Sequence, residues 1–109
     1  MTQAEAVTKI RILLADDHQV LRSGLRALLS LEPDFEVVGE ASDGKAAVRL
    51  TETNRPDVVV MDISMPEMDG LEATEEIHEL GLPVKIVMLT VHADEDYLFR
   101  TLKAGASGY

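Results

Sequence analysis

The chain has 109 residues, enough for one compact domain with a real hydrophobic core and no covalent staples. It contains no cysteine, which excludes disulfides and thiolate metal sites and fits a reducing cytoplasm. Twenty acidic residues against ten basic ones give a formal net charge of −10. That balance argues against nucleic-acid binding by this segment itself and suits a site that takes up a cation. No apolar run reaches membrane-spanning length, and residues 1–9 lack the basic-then-apolar order of a signal peptide.

Residues 1–8 are polar and read as a flexible leader, leaving 9–109 as the domain. Residues 10–15 form a short apolar run, interrupted by Arg11, that reads as a strand ending in Asp16-Asp17. Val20, Leu21, Gly24, Leu25, Leu28 and Leu29 then recur at helical spacing, so an amphipathic helix runs to before Pro33. Residues 35–41 give a second strand. Ser42-Asp43-Gly44 opens a second helix, with Ala46, Ala47 and Leu50 inward, ending near Asn54. The third strand is the β-branched run Val58-Val59-Val60-Met61, apolar enough to be buried on both faces, and it stops at Asp62. Asp69 with Glu72 has capping-box spacing for a helix over 71–80 whose inner face is Ala73, Ile77 and Leu80. Glu72, Glu75, Glu76 and Glu79 form its solvated side.

Gly81 ends that helix and residues 84–89 read as a fourth strand ending at Thr90. Asp94, Glu95 and Asp96 load the first turn of a fourth helix with negative charge, which its macrodipole favours. Residues 106–109 read as the beginning of a fifth strand. The alternation predicts a doubly wound α/β fold with a parallel sheet in the flavodoxin-like order 2-1-3-4-5, cut off at the start of strand 5.

In that order strands one, three and four are neighbours. Asp16, Asp17, Asp62 and Thr90 then converge at the carboxyl ends of the strands, where open α/β sheets build their sites. Taken alone, Asp62 serves equally well as a site residue or as the end of a strand. Three carboxylates in one pocket repel one another, and a hard divalent cation relieves the repulsion. Mg2+ prefers carboxylate oxygen and water and leaves positions open for a phosphate. A carboxylate beside such an ion is able to attack phosphorus and form an acyl phosphate.

Asp16-Asp17-His18, Leu21-Arg22-x-Gly24-Leu25, Met61-Asp62-Ile63-x-Met65-Pro66-x-Met68-Asp69-Gly70, Leu89-Thr90 and Lys103-Ala104-Gly105-Ala106-Ser107-Gly108-Tyr109 together resemble a response-regulator receiver domain. The opening and closing motifs are most similar to receivers that precede a LuxR-type helix-turn-helix domain. The resemblance implies a switch phosphorylated on Asp62 by a sensor histidine kinase, with Asp16 and Asp17 organising Mg2+ and Ser64 lending a backbone carbonyl to the ion. It further implies Thr90 as the switch hydroxyl, Tyr109 as the switch aromatic, and His92 as a residue over the phosphoryl group that modulates hydrolysis. It implies a cytoplasmic protein that homodimerises on phosphorylation, catalyses only its own phosphoryl transfer and autodephosphorylation, and reaches DNA through a C-terminal domain absent from this chain.

The family's lysine falls beyond Tyr109, as do the rest of strand five and the fifth helix, so the expectation is a fragment of a longer protein. Two alternatives compete: a pseudo-receiver acting as a protein-interaction module, and a Mg2+-dependent aspartyl phosphohydrolase. The second needs an acid two residues after its nucleophile, and that position is Ser64. His18 reads as a partly exposed first-turn residue without a role. Met61, Met65, Met68 and Met88 read as packing and loop anchors.

Overall fold

A computed structural model describes residues 9–63 and 65–89. Its elements are β1 (Ile10–Ala15), α1 (Gln19–Ser30), β2 (Phe35–Ala41), α2 (Gly44–Asn54), β3 (Val58–Asp62), α3 (Gly70–Glu79) and β4 (Lys85–Leu89). All strand pairs are parallel, in the order β2-β1-β3-β4. This is the expected order as far as strand four. The expected fourth helix and fifth strand lie outside the described residues.

Handedness distributes the helices. The chain steps from β1 to β2 in one direction and from β2 past β1 to β3 in the other, so right-handed crossovers put α1 on one face and α2 with α3 on the opposite face. The core lies under α2 and α3. Leu13, Ala15, Val59, Met61, Ile86 and Met88 from alternate strand positions meet Ala47, Ala73 and Ile77 there. Met61, Met65 and Met88 are part of that core and Met68 packs against it, as the sequence suggests.

Burial corrects two expectations and adds a finding about α1. β3 is not equally buried on both faces: Val59 and Met61 are fully buried, Val58 and Val60 only partly. Leu80 is exposed rather than inward, because it falls at the C-cap of α3; Leu71 and Thr74 complete the inner face instead. The apolar stripe of α1 buries no residue, and Val20 is 87% and Leu28 64% exposed. Among the described residues only β1 and β2 support that helix to any extent.

Local chemistry agrees with the sequence elsewhere. Asp43 caps α2 by accepting from the Ala46 N–H, and Asp69 with Glu72 forms the expected capping box on α3. Buried Thr51 and Thr74 return their hydroxyls to the carbonyls of Ala47 and Gly70, which removes the cost of burying them. Between Ile12 and Leu13 the β1–β2 register shifts by one residue, and the carbonyl of Val38 there accepts from the Asn54 side chain.

Candidate functional site

Register brings the acids together. Ala15 pairs with Met61 across β1 and β3, so the next residues, Asp16 and Asp62, leave the sheet side by side. β4 supports Asp62 from its other side through the pair Asp62 and Leu89. The loop after β3 returns tightly, with the Gly70 N–H donating to the Ile63 carbonyl at 2.7 Å. A Cβ at position 70 meets the Asp62 carbonyl oxygen at 2.2 Å, so only glycine lets α3 start this close to the strand end.

Asp16 is buried, with its side chain only 4% exposed. Its Oδ1 accepts from the His18 backbone N–H at 2.7 Å. Its Oδ2 is buried and has no hydrogen-bond partner among the described residues. An unmatched buried acceptor costs about 1–3 kcal/mol, and more when charged. Asp17 is more open and Asp62 is half-buried. Asp16, Asp17, His18 and Asp62 each offer one ligand atom, and these atoms lie within 4.8 Å of one another. The carboxylates are hard oxygen donors, and the orphaned Asp16 oxygen is the kind of atom a cation satisfies. The residues present therefore fit a divalent ion.

His18 is the residue that sequence reasoning set aside. It is the N-cap residue of α1 rather than a first-turn residue, and its ring turns back onto the acids. Its Nδ1 lies 3.1 Å from Asp16 Oδ1, 3.1 Å from Asp17 Oδ1 and 3.9 Å from Asp62 Oδ2. The hydrogen bond with Asp16 and the charges of Asp17, Asp16 and Asp62 raise its pKa above the ordinary 6.5. The signal available in sequence was adjacency alone.

Arg22 and Glu40 form a brace behind this loop. The Arg22 guanidinium donates to the Asp16 carbonyl at 2.5 Å and to Glu40 Oε1 at 2.8 Å, while Arg26 donates to the other Glu40 oxygen. Hydrogen bonds from Arg26 and then Arg22 hold the Glu40 carboxyl below its ordinary pKa. The brace ties α1 and the end of β2 to the backbone of the acid pair. Of the expected site residues, Asp16, Asp17 and Asp62 do meet. Ser64, Thr90, His92 and Tyr109 lie outside the described residues.

Comparison with known proteins decides the family. A profile of the response regulator receiver domain matches residues 12–109. The chain belongs to the response-regulator receiver family. It is 48% identical over 101 residues to the transcriptional regulatory protein DegU of Brevibacillus brevis, covering 93% of this chain and 43% of that protein. The signal receiver domain of the response regulator NarL from Mycobacterium tuberculosis superposes with a TM-score of 0.90 at 36% identity, covering 93% of this chain and 82% of that one. A LuxR-family two-component response regulator from Aurantimonas sp. superposes with a TM-score of 0.89 at 39% identity, covering 94% and 73%. The chain spans under half the length of the curated relatives it matches. It is a receiver domain of the two-component type, a class whose function is activated by phosphorylation and which binds Mg2+ at an acidic pocket. No helix among the described residues is long and apolar enough to cross a membrane.

Proposed function

We propose that Asp62 is the phosphoacceptor of this receiver and that Asp16 and Asp17 hold the Mg2+ on which acceptance depends. The observation that carries the reading is the orphaned, buried Asp16 Oδ2 within a cluster that also contains Asp62 and Asp17. When bound, Mg2+ supplies positive charge against the three transferring phosphoryl oxygens. A carboxylate oxygen of Asp62 attacks phosphorus in line with the phosphohistidine nitrogen of a sensor kinase. The P–N bond breaks, its electron pair stays on the imidazole, and an acyl phosphate forms on Asp62. The register of β1 against β3 orients the nucleophile, and the Arg22–Glu40 brace positions the Asp16 backbone.

In the same reading the Ser64 carbonyl is a further ligand, Thr90 the switch hydroxyl, Tyr109 the switch aromatic and His92 a modulator of hydrolysis. The domain is a cytoplasmic control element of a longer LuxR-type transcriptional regulator. It turns over no separate substrate, homodimerises when phosphorylated and leaves DNA contact to another domain.

Acetyl phosphate with Mg2+ tests the central step. The full-length protein should gain one acid-labile, hydroxylamine-sensitive phosphoryl group, and Asp62→Ala should abolish it. Labelling of Asp62→Ala at unchanged stoichiometry overturns the assignment.

A further inference from the structure

The geometry points to His18 as a nitrogen ligand that shifts this acidic pocket from Mg2+ alone toward borderline divalent transition ions such as Co2+, Ni2+ and Zn2+. The inference rests on the cation-binding reading above and adds to it a residue that selects the cation.

Spacing is the first argument. An ion with ligands at about 2.0–2.1 Å in an octahedron sets neighbouring ligand atoms about 3 Å apart and opposite ones about 4 Å apart. His18 Nδ1 stands 3.1 Å from one oxygen of Asp16, 3.1 Å from one of Asp17 and 3.9 Å from one of Asp62. All four ligand atoms lie within 4.8 Å of one another, so these separations bring the ring within reach of an ion held by the acids, with the Nδ1 hydrogen bond to Asp16 giving way to coordination. The second argument is independent: the other Asp16 oxygen is buried without a partner. Hydrogen bonding within the cluster therefore leaves Asp16 incompletely satisfied.

Placement makes the ring available. His18 is held at the backbone, where its N–H donates to Asp16 and its carbonyl accepts from the Arg22 N–H at 2.9 Å. Its side chain is 66% exposed, so the ring has room for the small adjustment that coordination requires. Ligand chemistry sets the direction. Imidazole nitrogen contributes little to Mg2+, which prefers oxygen, whereas it suits nickel, cobalt and zinc. A pocket of carboxylates alone favours these ions only by the general order of divalent affinities; an imidazole within 3.9 Å of all three acids enlarges the preference.

The test is calorimetric titration of untagged protein with MgCl2 and with NiCl2, supported by Co2+ absorption spectra. In His18→Ala and His18→Gln, Ni2+ affinity should fall about tenfold or more while Mg2+ affinity changes by less than about threefold. The Co2+ spectrum should change with the same variants. His78, in the last turn of α3 and outside the cluster, is the control: His78→Ala should keep the Ni2+ preference. An equal Ni2+ to Mg2+ ratio in wild type and His18→Ala, or loss of the preference in His78→Ala, overturns the inference. Absence of binding by both ions in the wild type instead overturns the underlying cation reading.

Discussion

The two ends of β3 carry the same residue type to opposite purposes. At its amino end Asp57 completes a hydrogen-bonded joint. The Arg11 N–H donates to its carboxylate at 2.8 Å, its own N–H donates to the Arg11 carbonyl, and Lys85 N–H donates to its carbonyl. The Arg11 guanidinium adds a bond to the Arg55 carbonyl, beside a shallow cleft lined by Pro56, Leu82, Pro83 and Val84. At the carboxyl end Asp62 joins Asp16 and Asp17, and one buried carboxylate oxygen is left unmatched. One end spends its polar groups on holding the sheet together. The other gathers charge at a cost to stability, and that deficit is where a ligand gains binding energy.

Several changes separate the two ends, beginning with the largest effect. Gly70→Ala drives a Cβ into the Asp62 carbonyl and should destabilise the protein by about 3 kcal/mol in urea unfolding. It should also remove the response to Mg2+, since Asp62 has to move; an unchanged midpoint contradicts the packing described for the β3–α3 loop.

Mg2+ is next. At a hundredfold excess over its dissociation constant it should stabilise the protein by about 2.7 kcal/mol, because the unfolded chain lacks the cluster. Asp17→Asn should lose most of this gain and be more stable than wild type without metal, since it deletes a repulsive charge. Asp57→Asn should keep the gain in full. Identical melting curves with and without Mg2+ would refute the cation assignment.

Asp57→Ala itself should cost about 1 kcal/mol, equally with and without Mg2+, because it removes a bond to the Arg11 N–H at an exposed joint. A Mg2+-dependent cost erases the contrast between the two ends.

The smallest expected effect is that of the brace. Glu40 has its folded pKa lowered below the ordinary 4.5, first by Arg26 and then by Arg22. Its contribution is therefore fully present above pH 4.5 and lost as pH falls through the lower folded value. Glu40→Gln should remove about 0.5 kcal/mol at neutral pH, modest because Arg26 is half-exposed, and should flatten the acid limb of stability against pH. Parallel acid limbs for the two proteins would show that the pair contributes nothing.

Much of this molecule was readable from local pattern. β1 and β2 span the expected residues, and the capping box of Asp69 and Glu72 forms as its spacing implies. Strand ends at Asp16 and Asp62, combined with the parallel order, were enough to place the acids in one pocket. Such features follow from short-range periodicity, turn chemistry and the handedness of crossovers, all of which are written along the chain. Packing between elements decided the rest. Leu80 has the helical period of a core residue yet stays exposed at the end of α3, and the stripe of α1 finds no cover among the described residues that would bury it. Thr51 and Thr74 are buried although polar, because a helix carbonyl four residues earlier accepts each hydroxyl. The Arg22–Glu40 brace links residues 18 positions apart, and no periodic pattern announces it. His18 shows the limit most clearly. Its place beside the acids is sequence, but whether its ring points to solvent or onto three carboxylates depends on the turn into α1 and on the register that brings Asp62 within 3.9 Å.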